Sequence, residues 1–230
     1  MARRTKEEAL ATRHKLLDAA EHLFQAQGVS RTSLQDIARR AGATRGAVYW
    51  HFKDKADLFN AMMERVTLPM EESFHHENEQ QEAPGPGGGA GPNAIDRIRL
   101  STVNALRHIV TDMQTRRVFE VATQKVEYVE ELQAVRLRHL TVRNGFVERI
   151  EQSLGTAAEQ MKLGLPVPAS VGAQGLHALI DGLIQNWLLD QQAFDLLEVG
   201  QCAIDVYLRG LGFPGETPNA AAPCGISRPA

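Results

Sequence analysis

Between Leu34 and Phe52 the chain has room for two short helices and little else. Leu34, Ile37, Ala38 and Ala41 recur at i, i+3, i+4 and i+7, which places a narrow apolar stripe on one helical face. Gly42 then supplies the backbone freedom that ends a helix in a tight turn. Thr44 is placed to cap a second helix opening Arg45-Gly46-Ala47, on which Val48 and Phe52 face inward four residues apart. Ahead of the first helix, Thr32 with Gln35 and Ser33 with Asp36 both fit a reciprocal cap. Two short helices joined this way form a helix-turn-helix. Its second helix enters the major groove of duplex DNA while the first braces across the backbone.

Once the inward positions are assigned, Thr44, Arg45, Tyr49 and His51 remain to face nucleic acid. Gly46 lets the helix approach DNA with no side chain in the way. Thr32 and Ser33, at the start of the bracing helix, complete the DNA-side set. Lys55, just inside the next helix start, is where a phosphate would sit well. The basic arm Arg3-Arg4-Thr5-Lys6 is of the kind that reaches phosphates or a minor groove. An ordinary helical hairpin is the bland alternative, and the outward Arg and Tyr argue against it. The flanks agree: Lys6 to Gln27 reads as one amphipathic helix with Leu16, Leu17, Ala20, Leu23 and Phe24 inward. Asp54 caps a fourth helix carrying Leu58, Phe59, Met62 and Val66.

The net charge is −3, yet its distribution favours DNA. Residues 1–65 carry 12 Lys/Arg against 8 Asp/Glu, or +4, and the remaining residues carry 13 against 20, or −7. A basic head on an acidic body orients the molecule toward phosphates, and its association should weaken as salt rises. No apolar run is long enough to span a membrane, and the N-terminus leads into an amphipathic helix rather than a secretory signal. With only Cys202 and Cys224, reduced thiols and a cytoplasmic location are the simpler expectation, with Cys202 in the core. A redox switch between the two cysteines is the alternative.

Beyond the reader, residues 80–93 read as a flexible insert, because Pro84-Gly-Pro-Gly-Gly-Gly-Ala-Gly-Pro92 cannot hold a helix. It lacks the Lys-Ser/Thr pair of a phosphate-binding loop. Glu71, Glu72, His75, His76 and Glu77 suggest a metal site, but a solvated helix end accounts for them better. Helical periodicity resumes at Ile95 through Val110, then in a short segment from Arg116 to Ala122, then in a long helix from about Val129 to Met161. Gly164 to Pro168 interrupts it. Two strong helices follow, one with Leu176, Ile180, Ile184 and Trp187 inward, the other from about Phe194 to Leu211 and apolar around much of its circumference. A second subunit is the natural cover for that last helix. The fold class expected is all-α: a helix-turn-helix DNA-binding domain at 1–55, a ligand-binding and dimerisation bundle at 56–212, and a disordered tail at 213–230. No nucleophile–base pair, metal quartet or cofactor loop is legible, so neither an enzyme nor a cofactor is expected.

The run Thr-Ser-Leu-Gln-Asp-Ile-Ala-Arg-Arg-Ala-Gly, then Thr-Arg-Gly-Ala-Val-Tyr-Trp-His-Phe, then Lys-Asp-Lys-Ala-Asp-Leu resembles the DNA-binding domain of TetR-family repressors. The opening Ala-Arg-Arg-Thr-Lys-Glu-Glu-Ala and Asp181-Gly-Leu-Ile-Gln-Asn-Trp-Leu-Leu189 are similar to the branch that controls multidrug efflux pumps. That resemblance implies a homodimer paired through its last two helices on a palindromic operator, released by a lipophilic effector. It also implies pocket residues at Phe119, Thr123, Arg143, Phe146, His177, Ile180, Asp181 and Ile184. Phe119 and Arg143 depart from the family pattern, the first replacing a polar residue and the second an apolar one. Asp181 stays open between two roles: an acidic anchor for cationic or phenolic lipophiles, or a group that merely satisfies His177 or the backbone. Control of a metabolic operon is the nearest alternative. An enzymatic bundle with a DNA-binding head and an architectural DNA protein without effector are more distant.

Overall fold

A computed structural model describes residues 6–67, 93–127 and 130–215. Among these residues there are nine α-helices, one short 3-10 turn and no strand: α1 (Lys6–Gln27), α2 (Leu34–Arg40), α3 (Arg45–His51), α4 (55–67), α5 (Ala94–Thr111), α6 (Met113–Gln124), the turn Glu130–Leu132, α7 (Gln133–Met161), α8 (Ala169–Leu189) and α9 (Leu196–Gly210). The basic arm with Arg3 and Arg4, the His/Glu cluster at 71–77, residues 80–92 of the expected insert and Cys224 all lie outside the described residues. None of the described helices is long and apolar enough to cross a membrane.

The chain forms two compact units, Met1–Pro69 with Met113–Thr141, and Met70–Asp112 with Val142–Ala230. This division corrects the expected cut at residue 55: α4, α6 and the start of α7 belong with the head. The reason is packing. Leu16, Leu17, Ala20 and Phe24 of α1 share one core with Ile37 and Ala38 of α2, Val48 of α3, Leu58, Phe59 and Met62 of α4, Val118 and Val121 of α6, and Leu132 and Val135. Each buried Leu, Ile, Val, Phe or Met among them contributes about 1.5–3 kcal/mol, so two seven-residue helices hold shape only because longer ones cover them. The Phe24 and Phe59 rings lie 6.0 Å apart.

In the second unit, Asn93 and Asp195 cap α5 and α9 with their side-chain oxygens. Leu196, Gly200, Ile204 and Leu208 form a single buried stripe on α9, while Val206 is exposed. Arg99 is buried on α5 and donates to Asp96 at 3.1 Å, to Asp205 of α9 at 3.2 Å, and to the carbonyl of Pro214. The expected tail is therefore corrected at its start. Phe213 is buried and its N–H bonds the Leu208 carbonyl at 3.1 Å, so the chain stays packed past Gly212. Cys202, expected in the core, is half-buried on α9.

Candidate nucleic-acid interface

Two caps define the reading helices. Ser33 accepts from the Asp36 N–H at 3.1 Å, and the Asp36 carboxylate accepts from the Ser33 N–H at 3.2 Å. The reciprocal box thus takes the Ser33 frame rather than the Thr32 frame. Hydrogen bonds from Ser33, joined by Arg39, hold the Asp36 carboxyl below its usual range. Gly42, at φ +65°, makes the left-handed turn that any other residue would resist. Thr44 then accepts from the Ala47 N–H at 3.1 Å and starts α3. A lost cap costs about 1 kcal/mol, which matters in a helix of seven residues.

Val48 and Phe52 plug α3 into the core, and the Arg13 guanidinium sits 5.2 Å over the Phe52 ring. The opposite face is open. Arg45 lies 5.4 Å over the Tyr49 ring and donates to the Tyr49 hydroxyl at 3.3 Å. Thr44, Gly46 and Tyr49 are exposed beside it, and His51 is half-buried, edge-on to Trp50 at 4.4 Å. Trp50, which the sequence reading does not single out, is 71% exposed on the same helix. The signal was present: two residues past an inward Val48 is a rotation of about 200°, so the indole must point out.

Two residues expected on the DNA side, Thr32 and Lys55, make hydrogen bonds within the head. Thr32 is 1% exposed; its hydroxyl donates to the Gly28 carbonyl at 2.7 Å and accepts from Gln27 at 3.1 Å, so its side chain is turned into the head. Lys55 directs its three protons at the carbonyls of Val29, Ser30 and Thr32, at 2.9, 3.1 and 3.2 Å. An ammonium has no more donors than that. Its charge holds the turn between α1 and α2. Beside that turn an open cleft of about 510 Å³ is lined by Leu23, Gln27, Arg31, Asp36, Arg39 and Arg40. Three arginines against one occupied carboxylate keep this flank of the head positive.

The expected effector residues divide between the units. Phe119 packs against the core of the first, and Thr123 donates to the Phe119 carbonyl at 2.8 Å. In the second, Arg143 of α7 donates to Gln174 of α8 at 2.7 Å, and Arg149 stands 4.6 Å over the Phe146 ring. His177, Ile180 and Asp181 are half-buried on α8, and Ile184 is buried one turn on. The Asp181 carboxylate accepts from Gln185 at 2.6 Å, so it is already hydrogen-bonded on its own helix. Among the described residues no cluster of His, Cys, Asp or Glu is arranged to hold a metal.

Comparison with known proteins agrees with this geometry. The family described as bacterial regulatory proteins, tetR family, matches residues 16–62, and the C-terminal region of MAATS-type transcriptional repressors matches residues 93–213. The transcriptional regulator AcrR of Shigella flexneri is 39% identical over 197 residues, covering 85% of this chain and 87% of its own. NalD, described as the secondary repressor of the MexAB-OprM multidrug efflux pump in Pseudomonas aeruginosa, superposes with a TM-score of 0.76 at 34% identity, covering 90% of this chain and 98% of its own. SmeT of Stenotrophomonas maltophilia, solved as a complex with triclosan, superposes with a TM-score of 0.73 at 28% identity, covering 93% and 99%. With both ends of the described chain matched by the same kind of regulator, the protein belongs to the TetR family of transcriptional regulators.

Proposed function

We propose that this regulator is a repressor that binds a palindromic operator as a homodimer, controls a multidrug efflux operon, and leaves the DNA when a lipophilic compound binds. The observation that carries the reading is the outward face of α3. A helix capped by Thr44 and plugged by Val48 and Phe52 presents Arg45, Tyr49 and Trp50 to solvent, where a major groove would receive them. Arg45 reads a guanine edge, and Ser33, Thr44, Tyr49 and His51 position the helix on phosphates. Val171, Leu189 and Val206 are exposed apolar groups of α8 and α9, and a second copy of the chain would cover them. The effector role falls to Arg143, Phe146, His177, Ile180, Asp181 and Ile184 of the second unit. NalD, SmeT and AcrR support an efflux target. Repression of this kind is a cytoplasmic activity, and regulation, not catalysis, is its whole role.

Footprinting of the purified protein on DNA upstream of its own and neighbouring genes tests the reading. A protected palindrome beside a pump operon, lost on adding triclosan or a lipophilic cation, is the expected result. Protection of no site, or a protomer that stays single in sedimentation while bound, overturns it. A thermal-shift titration with the same compounds separates a sensor from an architectural protein, since only a sensor is stabilised by ligand.

A further inference from the structure

Glu21 stands out on α1 because its neighbours on the inner stripe, Leu16, Leu17, Ala20 and Phe24, are all apolar, yet it is equally buried at 1% exposure. A carboxylate survives such burial only when hydrogen-bonded and paired. Here the partners come from two other helices. Arg65 of α4 pairs with its Oε1, and Gln114 of α6 donates to both oxygens at 3.0 and 3.4 Å. Arg117, one turn further along α6, lies 3.6 Å from Oε2. Arg65 also donates to Asp18 at 2.8 Å.

The positions of these partners along the chain matter. The first unit ends at Pro69 and resumes at Met113. Arg65 lies four residues before that exit, and Gln114 and Arg117 lie one and four residues after the return. One side chain of the helix that buttresses α2 and α3 therefore holds both covalent paths at the points where they leave and re-enter the unit. Apolar contact alone would cover this spot without fixing it, because hydrophobic burial has no direction. Charge-assisted hydrogen bonds do have direction, and they set where α4 and α6 stand on α1.

We propose that Glu21 is a positioning residue that locks α4 and α6 onto α1 and so fixes the half-site spacing at which paired reading helices accept DNA. The proposal rests on the paired-head reading above. Its test uses the duplex that the full-length wild-type protein enriches from random DNA, the same duplex with one base pair inserted at its centre, and an isolated half-site. One pair rotates a half-site by roughly 35° about the helix axis. The wild type should reject the insertion by about tenfold or more, within the usual range of coupling between sites. Glu21→Gln, which keeps the shape and loses the charge, should reduce that rejection to about threefold or less while leaving half-site affinity unchanged. A merely structural role would weaken both duplexes and the half-site together and leave their ratio unmoved, which overturns the proposal. If Glu21→Gln melts below the assay temperature, the apolar pair Glu21→Leu with Arg65→Met carries the same test, since buried ion pairs replaced by packed hydrophobes usually hold stability. A wild type that tolerates the insertion overturns the paired-head reading and this proposal with it. A wild type that rejects it, with variants that reject it equally, overturns the proposal alone.

Discussion

Arg45 rests against Tyr49, one turn on along α3, with its guanidinium 5.4 Å over the ring and a 3.3 Å hydrogen bond to the phenol oxygen. The long arginine side chain is thereby held against the ring on an exposed helix before DNA arrives, so less rotamer freedom is lost on binding. Arg45→Ala should cost about 1–3 kcal/mol of operator affinity and relax preference at one base position. Tyr49→Phe keeps the ring and removes only the hydrogen bond, so it should cost less and leave sequence preference intact. Operator and random-duplex titrations side by side check both. Equal loss on specific and random DNA for Arg45→Ala would remove Arg45 from base reading.

Lys55 makes an opposite claim. Three carbonyls of the turn between α1 and α2 occupy its ammonium, so its loss should loosen the turn and leave the phosphate tally untouched. Lys55→Met should lower the melting temperature, as expected when three carbonyls lose a charged donor worth about 1.5–3 kcal/mol. Affinity should fall on all sequences as the head loosens, while the slope of log K against log salt stays at the wild-type value. A lysine that touches a phosphate would instead reduce that slope by about 1, and such a reduction is the result that restores Lys55 to the DNA surface.

What was legible in the sequence follows from local rules, and what was not follows from tertiary ones. The bounds of α1, Lys6 to Gln27, and the inward residues of α1 to α4 could be read from spacing, because amphipathic helices declare their buried face. The start of α6 at Met113 could not. Only the extended residue Asp112 separates it from α5, and in its first turn the apolar Met113 is exposed while the polar Thr115 is buried. The carbonyl partners of Thr32 and Lys55 could not be read either, because a hydroxyl or ammonium near such helices looks the same in sequence whether it faces phosphate or a backbone carbonyl. Glu21 was within reach, since it stands four residues after Leu17 and three before Phe24 on the inner stripe. Its partners on α4 and α6 lie 44 and 93 residues away, and no spacing rule connects them.

Burial lifts the Glu21 carboxyl above its ordinary 4.5, against the opposing pull of Arg65 and Gln114. Between 4.5 and the raised folded value, the native state then binds more protons than the unfolded chain. Stability contributed by this group therefore rises as pH falls through that window and is lost again as pH climbs back through it. The melting temperature of wild type minus that of Glu21→Gln should become more positive from neutral pH downward and level off below 4.5. Paired thermal melts across that range measure it. A difference that shrinks on acidification would mean that the ion pairs with Arg65 and Arg117 outweigh the desolvation of the carboxylate.

In the second unit, α8 and α9 touch so closely at one point that only glycine fits. A β-carbon added at Gly175 would stand 2.1 Å from the Tyr207 hydroxyl and 2.9 Å from the ring carbon that bears it. Tyr207 is not free to retreat without loss, because its hydroxyl donates to the Gly172 carbonyl at 2.9 Å, and burial already pushes its pKa up. On an open helix, Gly→Ala would stabilise by about 0.5–1 kcal/mol. Here overpacking should exceed that gain and cost about 1–3 kcal/mol, a drop of several degrees in melting temperature for a chain of this size. Tyr207→Ala combined with Gly175→Ala should be better tolerated than the sum of the two single changes, because removing the ring makes room for the methyl. A Gly175→Ala protein that melts higher than wild type would show that the contact between α8 and α9 is looser than 2.1 Å implies.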